Sequence, residues 1–153
     1  MNTQDFVLQK ITTEPRFKDY EQGMAAAKAE GKPVMIDFTG FGCVNCRKME
    51  AAVWSDAQVA DILNNKYVLI SLYVDDKTPL AEPIEVTENG QQRTLRTVGD
   101  KWSYLQRMKF GANAQPFYVL LDNDGTPLTG SRAYDEDIQA YLEFLNQGLQ
   151  RYQ

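Results

Sequence analysis

The sequence predicts an α/β domain built on a central mixed β-sheet with helices on both faces. Three observations carry this. The runs "PVMIDF", "YVLISLYV" and "PFYVLLD" are of strand length and rich in β-branched and aromatic residues. Segments with apolar residues at helical spacing lie between them, and helices between strands imply parallel pairing. The turn "NDG", Asn123 to Gly125, follows the last run and implies an antiparallel end.

Taken in order, "FVLQKI" alternates weakly and predicts a short first strand from Phe6 to Ile11. Phe17, Tyr20, Met24 and Ala27 recur at helical spacing, with Gly31 just past the helix end. "PVMIDF", between Pro33 and Gly40, suits a strand buried on both faces. The next helix carries Cys46, Met49, Glu50 and Val53 on one face. Ser55 with Gln58 forms a capping-box pattern for a further helix that turns Val59, Ile62 and Leu63 inward. "YVLISLYV" is the clearest strand.

From Asp75 to Gly99 the character changes. "DDKTPLAEP" reads as loop, and "IEVTENGQQRTLRTV" as two strands around an Asn89-Gly90 turn. Asp100 is placed to cap a helix with Trp102, Leu105 and Met108 inward and Gly111 beyond its end. Beyond the "NDG" turn, Thr126 to Gly130 predicts a short partner strand, set at an edge by Pro127. The last helix is expected from about Asp135, burying Ile138, Tyr141, Leu142, Leu145 and Leu149. The order is β-α-β-α-β, an inserted hairpin, then α-β-β-α. No internal repeat or low-complexity segment interrupts it.

At 153 residues the chain is expected to be one domain, residues 1–153, with an insertion over about 75–99. The net charge of −5 argues against nucleic acid and anionic membranes as partners. No apolar run approaches the ~20 residues of a membrane span, so no direct membrane insertion of this domain is expected. The start "MNTQDFVLQK" lacks the basic and apolar regions of a signal peptide. The protein is then either cytosolic or a piece of a longer chain.

Both cysteines, Cys43 and Cys46, fall in "TGFGCVNC". A structural zinc site needs four N or S ligands, and this chain has two cysteines and no histidine. No metal site is expected on that ground, although a two-thiolate Cu(I) site survives chemically. Two inert core thiols are the bland alternative. Position favours redox chemistry, because the pair follows a strand and opens a helix. Free N–H groups and the positive dipole end favour thiolate there. The second thiol, one turn further in, lies on the same side and can close a disulfide.

"PVMIDFTGFGCVNCRKME" resembles the active-site region of thioredoxin-fold proteins, most of all the C-terminal domain of the DsbD family of transmembrane thiol:disulfide interchange proteins. Asp37, Cys43, Val44, Cys46, Arg47 and Glu50 fall on the positions that carry the resemblance. "NAQPFYVLLDNDG" is similar to the segment where that fold places a cis-proline opposite the disulfide, here Pro116 after Gln115. The Asp75–Gly99 insertion has no counterpart in a minimal thioredoxin. Most members have Trp before the first cysteine, where this chain has Gly42, with Phe41 one position earlier.

The resemblance implies a thioredoxin-like fold and a thiol:disulfide oxidoreductase acting as a protein-disulfide reductase, with no cofactor beyond a redox-active Cys43–Cys46 disulfide. It implies a periplasmic domain of an inner-membrane protein, reduced by a membrane electron-transfer domain and passing electrons to extracytoplasmic redox proteins, with cytochrome c biogenesis among the processes served. A free-standing thioredoxin-type reductase and a copper-handling module are the alternatives. Cys43 is the expected nucleophile and Cys46 the resolving thiol. Asp37 interrupts an apolar strand, so burial is expected to raise its pKa and suit it to take the Cys46 proton. Glu50 lies two turns along the Cys43 face and is weighed equally as a thiol neighbour and a surface carboxylate. Gln115, Pro116 and Phe41 are the expected substrate contacts. Arg47 and Lys48 read as solvated, and Trp54, Trp102, Tyr67 and Tyr73 as core.

Overall fold

The computed structural model describes residues 13–152. The strand expected over Phe6 to Ile11 lies outside them. The elements are α1 Tyr20–Glu30, β1 Val34–Thr39, α2 Val44–Ala52, α3 Ala57–Asn65, β2 Val68–Tyr73, β3 Pro79–Glu88, β4 Gln91–Thr97, α4 Val98–Phe110, β5 Phe117–Leu121 and α5 Ile138–Arg151.

The main sheet has the order β2-β1-β5, with β1 parallel to β2 and antiparallel to β5. All six residues of β1 are buried, as expected of a central strand covered on both faces. Alternation along the strand divides the core in two. Val34, Ile36 and Phe38 join Ala27 of α1 and Trp102 of α4 on one face. Met35 faces the other way, with Met49 of α2, Ile62 and Leu63 of α3, and Tyr141 and Leu145 of α5. Asp37 and Thr39 share the Met35 parity, so they lie on the face that α2 covers.

Local chemistry moves several expected boundaries. Phe17 is not helical: it forms an isolated parallel bridge with Ile70, and α1 is capped by Asp19, whose side chain accepts from Gln22 N. The cap of α3 is Asp56, which accepts from Gln58 N and Val59 N, while Ser55 Oγ donates back to Ala51 O. A carboxylate one residue later is the stronger acceptor for the free N–H groups. Thr97, not Asp100, caps α4, and Asp100 completes the capping box as its third residue. Met108 is exposed rather than inward. The last helix begins at Ile138 rather than near Asp135, with Asp137 as its cap. The expected strand over Thr126 to Gly130 reduces to an isolated bridge, Leu121 with Pro127; proline has no N–H to extend a ladder.

The insertion is a β-hairpin, but β3 begins at Pro79 inside the segment that reads as loop, with a register irregularity between Pro79 and Ile84. Asn89 (φ 52°) and Gly90 (φ 78°) supply the two positive-φ positions of its tight turn. The hairpin forms its own two-stranded sheet and lies against α4. Leu95 is buried, and Glu88 receives Arg107 Nε at 2.6 Å and Arg107 Nη2 at 2.9 Å in a two-pronged pair.

Candidate active site

The end of β1 leads through the Gly40–Gly42 turn into α2, and Cys43 is the N-cap residue of that helix. Its Sγ accepts the Cys46 N–H at 3.2 Å, taking up one of the donors that the first helical turn leaves free. Cys43 and Cys46 are joined in a disulfide with their Cα atoms 5.3 Å apart. Cys43 is partly exposed and Cys46 buried, so an approaching sulfur meets Cys43 first.

Asp37 sits beneath α2, 3% exposed, with Ser71 opposite it on β2 and Tyr118 opposite on β5. Burial raises its carboxyl to about 7; the Ser71 hydroxyl opposes this by donating to Oδ2 at 2.8 Å, and Glu50 adds to the rise by charge. Glu50 is half-buried on α2, and burial raises it too, against the pull of Arg47. Arg47 Nη2 bridges Glu50 Oε2 at 3.0 Å and Thr39 Oγ1 at 3.1 Å, so this exposed arginine ties α2 to the end of β1. Lys48 is exposed. A surface cleft of about 630 Å³ opens on Glu50, Lys18 and Tyr73, so Glu50 meets solvent there while Asp37 stays buried.

The Gln115–Pro116 peptide bond is cis. The β1–β5 register pairs Phe38 with Phe117, which sets Pro116 at the same end of the sheet as the cysteine turn. Phe41, 55% exposed, stacks on Tyr73 with ring centroids 4.1 Å apart and planes 16° from parallel. Tyr73 is therefore part of the rim of the site, while Trp54, Trp102 and Tyr67 are core as expected.

The profile of the thioredoxin-like domain family matches residues 20–146. The chain belongs to that family. It is 44% identical over 57 residues to the thiol:disulfide interchange protein DsbD of Pseudoalteromonas atlantica, a stretch covering 33% of this chain and 10% of that protein. Identity to DsbD of Yersinia pestis is 26% over 131 residues, 86% of this chain and 18% of that one. This thioredoxin-like chain thus spans about a tenth to a fifth of the length of the relatives it matches. The reduced C-terminal domain of Neisseria meningitidis DsbD superposes with a TM-score of 0.57 at 16% identity, covering 86% of this chain and 98% of that one. The domain is a thioredoxin-fold relative of DsbD.

Two residues of the thioredoxin-like site escape the sequence reading. Gln106, wholly buried on α4, donates from Nε2 to Ala114 O at 2.9 Å and accepts at Oε1 from Gln115 Nε2 at 2.9 Å, fixing the segment before Pro116. Asp75 follows β2 and accepts from the backbone of the cysteine turn. Gln106 breaks the apolar face of its helix, which is a faint signal; Asp75 lies in a run of loop-type residues and has none.

Proposed function

We propose that this domain is a protein-disulfide reductase that passes electrons by dithiol–disulfide exchange through Cys43 and Cys46. The observation that carries the reading is the pair itself: a partly exposed sulfur at a helix N-cap, disulfide-bonded to a buried one a turn inward.

In the reduced domain the Cys43 thiolate attacks one sulfur of a partner disulfide. A mixed disulfide forms and the other partner sulfur leaves as a thiolate, which takes up a proton. Asp37, ionised on about half of the molecules at pH 7, takes the Cys46 proton directly or through water. Cys46 then attacks Cys43 Sγ, the intramolecular disulfide closes, and the partner leaves with both its sulfurs reduced. Two electrons pass to the partner in each cycle. No cofactor besides the disulfide enters the cycle. The Gln115 backbone beside Pro116, with Phe41 at the rim, suits an extended partner segment.

The DsbD relationship supports a periplasmic setting as the soluble domain of an inner-membrane protein, recharged by a membrane electron-transfer domain and discharged to extracytoplasmic redox proteins. Among the described residues no helix is long and apolar enough to cross a membrane. Catalysed reduction of insulin disulfides, together with a potential by glutathione equilibration nearer thioredoxin's ~−270 mV than DsbA's ~−120 mV, is the expected result. A potential near DsbA's overturns the reductant assignment. Tight Cu(I) binding without disulfide reduction overturns the enzyme reading in favour of copper handling.

A further inference from the structure

Asp75 is far from the cysteines in sequence, yet it grips the turn that presents Cys43. Its Oδ1 accepts the Phe41 N–H at 2.8 Å and its Oδ2 the Gly42 N–H at 3.0 Å. The turn is closed from within by Cys43 N donating to Gly40 O at 3.3 Å. A Cβ on buried Gly40 would stand 3.2 Å from the Asp75 carboxylate, so the carboxylate is packed into the turn rather than resting over it. Backbone N–H groups beside a thiolate stabilise it. Here two consecutive amides immediately before Cys43 are engaged by an anion instead.

We propose that Asp75 is a positioning residue of the dithiol–disulfide exchange, holding the Gly40–Gly42 turn and opposing the Cys43 thiolate with fixed negative charge. This rests on the dithiol-exchange reading and adds a residue outside the cysteine motif to it. Burial pushes the Asp75 carboxyl up, but the Gly42 and Phe41 amides, with its own amide and the Arg47 charge, together hold the group below the usual carboxylate value. It is therefore ionised throughout the range in which a thiol titrates. The other titratable or charged groups around the turn are Asp37 on β1, Arg47 and Glu50 on α2, Tyr73 on β2, and Lys18, whose Nζ lies 5.4 Å from the Tyr73 ring centroid. Arg47, paired with Glu50, also acts on Asp75 by charge and helps to keep it ionised, so the shift expected on removing Asp75 is what remains beside that cation.

The root of the hairpin keeps Asp75 in place. Gly99 N donates to Asp76 O at 2.8 Å and Val98 N to Thr78 O at 2.9 Å, so the start of α4 clamps the segment that carries the carboxylate.

The test is the pH dependence of iodoacetamide alkylation at Cys43 in the reduced chain, read by mass spectrometry. Asp75→Asn keeps an oxygen acceptor but removes the charge. Its alkylation midpoint is expected to fall by about half to one pH unit, a three- to tenfold gain in thiolate below the midpoint, whereas Asp75→Glu stays near wild type. The same Asn variant is expected to be more oxidising against glutathione. An Asn profile that superimposes on wild type overturns the proposal, and so does an equal shift in the Asn and Glu variants. If Asp75→Asn does not fold, Asp75→Ser, which also lacks the charge, is read by the same criteria. Alkylation reports the thiolate whether or not a disulfide is reduced catalytically. Failure of the wild type to reduce insulin would therefore remove the proposed function while leaving the assignment of Asp75 decided by its own measurement.

Discussion

The Ser71 hydroxyl donates to Asp37 Oδ2 at 2.8 Å, across the pairing of β1 and β2 that sets the two residues side by side. One hydroxyl is a weak counterweight to complete burial, and the carboxyl is left at about 7 against an ordinary 3.8. A buried acid in this state titrates where the exchange chemistry runs, and it couples folding to the same protonation.

The first prediction follows with its sign. Asp37 has a raised folded pKa, so its protonated form stabilises the fold fully below the unfolded value near 4. That contribution is lost as pH rises towards 7. Across this window the group removes up to about 4 kcal/mol from the oxidised protein. Asp37→Asn should flatten the change. Urea midpoints at pH 4.5 and 8 measure it, and an unchanged wild-type-minus-Asn difference between the two would show that Asp37 is not the titrating group.

The second prediction concerns the order of attack. Cys43 is partly exposed and Cys46 buried. Cys46→Ser should accumulate mixed disulfides through Cys43, and Cys43→Ser almost none, on non-reducing gels with a disulfide-bonded protein substrate. The reverse pattern would exchange the roles of the two thiols.

Gln106 supplies the third. Gln106→Leu leaves Ala114 O and Gln115 Nε2 without their buried partner, at a cost of about 1–3 kcal/mol. If the segment before Pro116 aligns a partner chain, the variant slows reduction of a protein disulfide more than that of a small one. Equal slowing of both would make Gln106 a stability residue alone.

The fourth lies at the hairpin root. A Cβ on Gly99 would stand 2.5 Å from Val74 O and 2.8 Å from Asp76 N, both backbone atoms that cannot move aside cheaply. Gly99→Ala should cost about 1–3 kcal/mol in chemical denaturation. It should also shift the Cys43 alkylation midpoint in the direction of Asp75→Asn, because the loop that carries Asp75 must move. A stability loss with no thiol shift would uncouple the root from the turn.

The sequence by itself determined the three strands of the central sheet, the helices around them and the cysteine pair at a helix start. These depend on patterns within one element: "PVMIDF" is apolar enough to be buried on both sides, and "NG" demands the two positive-φ residues that Asn89 and Gly90 show. Asp37 was legible for the same reason, as a lone carboxylate in an apolar strand. The caps that the sequence points to at α3 and α4 lie one and three residues from the true ones. Ser55, Asp56, Asp100 and Thr97 are all competent cappers, and only the direction in which the chain enters each helix chooses among them. What the tertiary structure alone decided is the set of partners: Ser71 for Asp37, Gln106 for Gln115, Arg107 for Glu88, and Asp75 for the turn before Cys43. Each joins residues from separate elements. Their meeting is fixed by sheet register and helix packing, which depend on the whole core at once and leave no local spacing to read.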